Sequence, residues 1–344
     1  MTHMPTCSKD HRLRRAGSVL LAIVVLVIVS LSARAQTCQT RDEMPPGAKA
    51  DVDAAAQLAF DQARRGDLGA LRASAIASLQ TKFDGIAAAA ADHRAALAGS
   101  TAQVRASFLI DTGNNIVPDG RFLCGVFGAS GLASGSAEFL IPGLPVGKYA
   151  IVIQDVTGPK GPYALTVILQ DVAGWKLAGF YIRPETAAGH DGLWFMSRAR
   201  DYKARSQNHN AWFYYLTSWQ LLAPVTFIDT NLLAKITQES SAVQPKDIPL
   251  GSNSTTFTAN GKSYTLIDTS VSHTDSSVDL SIKYVVNSAK DFNATLADAR
   301  AMASAYAAQY PELKDAFNNL IAHAVDSDGN DVPGMVNLRP TGKP

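Results

Sequence analysis

The chain predicts an α+β fold: a curved antiparallel sheet covered by N-terminal helices, then a helical hairpin, then a smaller C-terminal α+β domain. Three observations carry this. Residues 50–98 are alanine-rich with helical spacing, Lys148 to Ile182 holds three long two-residue alternations, and helical spacing returns after Asp191 before a further set of strands.

Residues 1–35 read as an export signal: His11-Arg12-Leu13-Arg14-Arg15, an uncharged apolar run from Ala16 to Ser32, then Ala33-Arg34-Ala35 before Gln36. The alternative is an uncleaved anchor, since about 17 apolar residues are just long enough to span a bilayer. The predicted location is secreted or periplasmic, with no membrane span after cleavage. Residues 36–344 carry 26 basic and 29 acidic residues, a formal charge of −3. That balance offers neither a nucleic-acid footprint nor a polybasic membrane patch. Cleavage leaves Cys38 and Cys124, and a pair in an oxidising compartment reads as a disulfide; two separate thiols are the alternative.

After an N-terminal segment, 36–47, the first domain is expected over 48–184. Ala54, Leu58, Ala59 and Ala63 share a helical face, and Gly66-Asp67 breaks the run. Leu68, Leu71, Ile76 and Leu79 resume it, and Thr81 to Asp84 resembles a capping box opening a third helix. Strands follow at Ala102–Asp111 and Arg121–Phe127. In Lys148–Val156, Tyr149, Ile151, Ile153 and Asp155 alternate with Ala150, Val152, Gln154 and Val156; Thr157 to Pro162 must turn. The next arm sets Tyr163, Leu165, Val167 and Leu169 against Ala164, Thr166, Ile168 and Gln170, and the last sets Trp175, Leu177, Gly179 and Tyr181 against Lys176, Ala178, Phe180 and Ile182. Both faces are apolar, so the sheet must be covered twice or curl around a cavity, with Gly179 a natural bend or bulge.

Residues 185–240 read as a helical hairpin turning at Ser206–Asn210, with a short helix over Asp229–Glu239; 241–254 is linker-like in its Pro, Gly and Ser content. Over 255–330 strands are expected at Thr255–Ala259, Ser263–Thr269 and Val278–Val286, the first two joined by the hairpin signal Asn260-Gly261. Helices are expected over Leu296–Tyr310 and Glu312–Val325, broken at Pro311, and the tail 331–344 reads as irregular.

No H-E-x-x-H, Cys-x-x-Cys, G-x-S-x-G or phosphate-loop pattern occurs, so nothing calls for a cofactor or a metal. His190 beside Asp191 could be an acid/base pair, but Asp191 as a helix start with His190 packing is the simpler reading. Asp326-Ser327-Asp328-Gly329-Asn330-Asp331 offers oxygen ligands, yet its glycine falls fourth rather than sixth and no glutamate closes the loop. Tyr149, Asp155, Tyr163, Trp175 and Tyr181 are the candidate pocket residues, set against the alternative that they are ordinary core. Trp212, Tyr215 and Trp219 form a candidate interface, set against helix packing.

The segments GDLGALR near Gly66 and GWKLAGFYI from Gly174 resemble the nuclear transport factor two-like cone-shaped α+β fold, which implies helices on one face and a pocket on the other. Ala199, Tyr202, Ala211, Tyr215 and Pro224 are similar to a tetratricopeptide-type hairpin, which would pack on the preceding domain or on a partner. The overall layout resembles an uncharacterised family of secreted bacterial proteins. The expected function is a non-enzymatic binding or assembly protein of the envelope or extracellular space, its partner a protein, an envelope component or another copy. The alternatives are a pocket hydrolase or isomerase using Asp155 or His190, and a filament subunit.

Overall fold

The structure, a computed structural model, describes residues 37–125, 127–128, 131–132, 135–274 and 276–339. The signal expected over 1–35 lies outside them. The described chain enters on β1 (Thr37–Thr40) and folds into α1 (Pro46–Arg65), α2 (Leu68–Ala73), α3 (Ala77–Gln80), α4 (Asp84–Asp92) and α5 (Arg94–Leu97). Pro46 suits the first turn of α1, where a missing amide costs nothing, and the Asp67 carboxylate caps α2 by accepting from the Ala70 amide at 2.9 Å.

Two expectations fail in this region. The second helix is interrupted because Ser74 to Ile76 pairs with a strand instead: Leu177 N donates to Ser74 O and Ile76 N donates to Leu177 O. The capping box at Thr81 does not form, since the Thr81 hydroxyl donates back to Ser78 O at 2.9 Å and Phe83 occupies the cap position of α4.

The strands that follow are β2 (Thr101–Asp111), β3 (Arg121–Cys124), β4 (Phe127–Gly128), β5 (Gly131–Leu132), β6 (Ala137–Leu140), β7 (Lys148–Gly158), β8 (Gly161–Asp171) and β9 (Trp175–Pro184). The main sheet has the order β1-β2-β7-β8-β9 and is antiparallel throughout. Its β7–β8 turn is only Pro159-Lys160, because Thr157 pairs with Pro162 and Gly158 with Gly161. One face packs Ala150, Val152, Leu165 and Val167 beneath Val52, Ala56, Phe60 and Leu71 of the helices. On the other, Phe108, Ile110, Tyr149 and Ile151 meet Phe122 and Phe139 of a small sheet built on β3 and β6. A two-sided apolar sheet is thus covered on both sides, but the second cover is much shorter than the sheet.

The short ladder of β10 (Thr186–Ala187) and β11 (His190–Asp191) leads into the hairpin α6 (Gly192–Ala204) and α7 (Asn208–Leu222). Then β12 (Ile228–Asp229) joins β6, and α8 (Asn231–Ser241) follows. The hairpin lies against both neighbours. Trp219 and Leu222 pack on the core under the main sheet, while Phe195, Tyr202, Phe213 and Tyr215 belong to a second core with the C-terminal strands. Tyr202 and Tyr214 donate to the carbonyls of Asp315 and Ala316 at 2.7 and 2.6 Å. The segment 241–254 places Val243 and Ile248 in that second core.

The C-terminal sheet runs β13 (Thr255–Ala259), β14 (Lys262–His273), β15 (Val278–Val285), β16 (Asn319–Val325) and β17 (Asp331–Asn337) in that spatial order. Between β15 and β16, which are parallel, come α9 (Phe292–Gln309) and the single turn α10 (Leu313–Ala316). Asn260-Gly261 forms the expected two-residue turn, both residues at positive φ. Two expectations are corrected here. The helix predicted over Glu312–Val325 is one turn followed by a strand, whose alternating Leu320, Ala322 and Ala324 are buried. The tail, predicted irregular over 331–344, pairs with β16 over Asp331–Asn337 as β17; residues 340–344 lie outside the described residues. Small alanine-rich strands look helical until their partners are known. No helix among the described residues is long and apolar enough to cross a membrane.

Candidate functional site

Where the small sheet stops, the inner face of the main sheet opens into a cleft of about 530 Å³. Its floor is Ile110 of β2, Tyr149 and Ile151 of β7, and Ile168 and Gln170 of β8; Ala178 and Tyr181 of β9 form one wall. Ile76 and Ser78 close one end, and Ile141, Leu144 and Pro145, on the loop between β6 and β7, close the other.

Local sequence explains the shape. On β9 the pairing slips between Gly179 opposite Ile168 and Leu177 opposite Leu169, so Ala178 is an extra residue and the strand bulges. A Cβ on Gly179 would stand 3.1 Å from both Ile168 Cδ1 and Tyr181 Cε2, so glycine lets those side chains fold across the strand. The loop is pinned from below: Tyr149 donates its hydroxyl to Pro145 O at 3.0 Å, and Gly147 N donates to the Thr112 hydroxyl at 2.8 Å. Burial pushes the Tyr149 phenol up from its ordinary range, keeping it a neutral donor. Tyr181 is 43% exposed and stands edge-on to Phe227, with ring centres 5.5 Å apart, which carries the apolar surface past the cleft mouth. No charged side chain lines the cleft, and the Gln170 amide has no hydrogen-bond partner among the described residues. Such a lining suits an uncharged, mainly apolar molecule, because an ion would lose its hydration without recompense.

Of the five predicted pocket residues, Tyr149 and Tyr181 meet at this cleft and three do not. Asp155 shares the face of Tyr149 but lies at the far end of β7, where Arg105 Nε donates to it at 2.5 Å and also pairs with Glu185. Tyr163 sits opposite Val156 and therefore on the helix-covered face, edge-on to His93 at 5.8 Å. Trp175 lies on that same face, packed against the helical core. The bulge at Ala178 separates its phase from that of Tyr181. Ile168 and Gln170, which sequence alternation set on the opposite side from Tyr163, are cleft residues for the same reason that Tyr163 is not.

The predicted interface is core. Trp212 is 8% exposed and Tyr215 fully buried, and Trp219 is partly buried between the two cores. The Tyr215 hydroxyl donates to Glu239 at 2.8 Å, and burial together with that carboxylate pushes its phenol up to about 12. His190 and Asp191 are both exposed. The His190 ring stacks on Trp194 at 3.7 Å, and Asp191 accepts from the Trp194 amide at 2.8 Å as the cap of α6. The Asp326 carboxylate turns inward to accept from Asn330 Nδ2 and from the amides of Ala289 and Asp328, which hold it down to about 2. Those donors occupy the oxygens that a cation would need.

One titratable cluster had no sequence signal at all. His209 Nε2 is 3.0 Å from Asp247, its Nδ1 is 3.5 Å from Glu312, and Tyr310 donates to Asp247. It ties the start of α7 to the segment before β13 and to the end of α9. The Cys38–Cys124 disulfide joins β1 of the main sheet to β3 of the small one, with Cα atoms 4.7 Å apart. No family model, curated protein or solved structure matches this chain.

Proposed function

We propose that the protein is an exported, non-enzymatic binding protein whose working site is the cleft on the inner face of the main sheet, and that it takes an uncharged, largely apolar ligand from the envelope or its surroundings. The observation that carries this reading is the cleft itself: about 530 Å³, within the usual range for small-molecule sites, with no charged group in its lining. Export is supported by the basic, apolar and small-x-small sequence of residues 11–35 together with the disulfide. The helices over one face of the sheet and the cleft left beside the short cover on the other support the resemblance to the cone-shaped fold. The pocket-enzyme alternative loses its bases, since Asp155 and His190 lie outside the cleft with partners of their own. A filament built on the β9 edge is disfavoured because Ser74 to Ile76 already pairs with Leu177 there.

Titration with the neutral dye N-phenyl-1-naphthylamine tests the reading. Saturable fluorescence enhancement is expected. It should weaken at least about tenfold in Ala178→Phe, which fills the cleft, and by about 1–3 kcal/mol in Tyr181→Ala, which removes an aromatic wall. Asp155→Asn should leave affinity unchanged. Equal dye binding by all four proteins, or loss only in Asp155→Asn, would place the site elsewhere.

A further inference from the structure

A second, smaller cavity of about 210 Å³ lies at the junction between the main sheet and the C-terminal sheet. Four elements meet there. The α4–α5 junction supplies His93, the β7–β8 hairpin supplies Lys160 and Tyr163, the chain after β9 supplies Thr186, and the end of β14 supplies His273 and Thr274. The two halves are tied by Ala188 N donating to Thr274 O at 2.9 Å.

The chemistry of this lining is one-sided. Lys160 has no ion pair, and neither the His273 ring nor the Tyr163 hydroxyl has a hydrogen-bond partner, among the described residues. His93 Nδ1 is 2.9 Å from Ala89 O and so must carry the hydrogen, leaving Nε2 as the atom that takes up a proton. No carboxylate of the described residues lines the cavity. The nearby ones are committed or turned to water: Glu185 to Arg105, Asp191 to the α6 cap, Asp279 to the Asn319 amide, while Asp92 is exposed. Arg94 is turned toward Gly66. Asp275, next to Thr274 in sequence, lies outside the described residues.

We propose that this junction is a binding site for a tetrahedral oxyanion, either free phosphate or sulfate or the phosphomonoester end of a larger molecule, held by Lys160 and by the protonated imidazoles of His93 and His273. Independently of the apolar cleft, the site would bridge the two sheets. Burial holds the empty His273 ring below its ordinary range, so a bound dianion raises its proton affinity and binding strengthens as pH falls.

Proton NMR titration of the full exported chain at constant ionic strength, following the histidine ring signals, tests this. Sulfate keeps its charge between pH 7.5 and 5.5 and is the probe for the pH arm. The expected result is saturable shifts of the His93 and His273 signals, with affinity about tenfold tighter at pH 5.5. Lys160→Met and His273→Gln should each lose at least about fivefold; Lys160 is exposed on a two-residue turn, so its removal should leave the melting temperature unchanged. Glycerol 3-phosphate binding at least as tightly as inorganic phosphate at pH 7.5 would identify the ester end as the ligand, and the reverse order the free anion. Shifts matched by chloride, shifts untouched by Lys160→Met, or saturation seen only after Asp275→Asn would overturn the proposal.

Discussion

Removing the Cys38–Cys124 bridge should cost the fold more than any single contact in it. The two cysteines are 86 positions apart, and the loop-closure entropy that such a cross-link withdraws from the unfolded chain corresponds to about 4.6 kcal/mol at 25 °C. The structure says where the loss should fall. β1 has four residues and one neighbour, β2, so without the bridge a short edge strand is held by its ladder and little else. In urea, with a slope of about 3 kcal/mol/M for a chain of this size, reduced protein and Cys38→Ala/Cys124→Ala should unfold about 1.5 M earlier than the oxidised form. The slope itself should rise as the unfolded ensemble expands. Hydrogen exchange should quicken first at Thr37 to Thr40 and along β3. The double variant also empties buried sulfur volume at Cys124, so it should fall slightly below the reduced protein. A midpoint that moves by less than about 0.3 M on reduction, worth about 1 kcal/mol at this slope, would refute the entropic argument and with it the view that the bridge holds the two sheets together.

Two further outcomes follow from buried polar groups. Gln154 is fully buried on the helix-covered face, beside Val104 and Leu165, and neither its amide oxygen nor its nitrogen has a partner among the described residues, so Gln154→Leu should stabilise the protein by about 1–3 kcal/mol in the same urea assay. A loss of stability would mean that an internal water satisfies the amide. Asp326 has its carboxyl held down to about 2 by Asn330 and the Ala289 amide, below its unfolded value, so the stability it contributes is present above about pH 4 and disappears as pH falls toward 2. Asp326→Asn should flatten that part of the urea-midpoint profile; an unchanged acid limb would show that other carboxylates govern it.

Much of this architecture could be read from residue order, and the failures have physical causes. The two faces of β7 were legible because Tyr149, Ile151 and Ile153 alternate with Ala150, Val152 and Val156 without interruption. Transferring that phase to β8 depends only on whether the turn has an even or an odd number of residues. A two-residue turn pairs Gly158 with Gly161, which sets odd-numbered residues of β7 opposite even-numbered residues of β8, and any turn with an even number of residues does the same. The residues flanking the expected turn, Val156 and Tyr163, are themselves a pair in this register, so Tyr163 belongs with the even-numbered residues of β7 and not with Tyr149. Trp175 and Tyr181 share a phase in an unbroken strand because they are six positions apart, and one extra residue at Ala178 undoes the grouping. Bulges have weak sequence signals, and Gly179 marked this one without saying which way the phase would shift. The aromatic run in α7 was dense enough to look like a surface, yet a helix wedged between two cores needs apolar side chains all round, and its Trp212, Tyr215 and Trp219 supply them.

Why there is a cleft at all follows from element lengths. β7 and β8 have 11 residues each and extend about 36 Å, whereas β3 and β6 have four each and extend about 13 Å. A sheet apolar on both faces needs both covered, and a cover one third as long must leave uncovered surface unless another element supplies the rest. Towards β7's far end that element is the connection after α7, where Ala223, Val225 and Ile228 enter the core. Towards Tyr149 the cover is the loop from Ile141 to Pro145, with Ile76 and Ser78 at the opposite end, and the loop is held by the Tyr149 hydroxyl on Pro145 O and by Gly147 N on the Thr112 hydroxyl. A loop of that length can rim an apolar floor but cannot fill it. The same shortage of covering structure that would count as a defect in a closed core therefore leaves Ile168, Ala178 and Tyr181 partly exposed above the buried Ile110 and Ile151, where an apolar molecule could complete the packing.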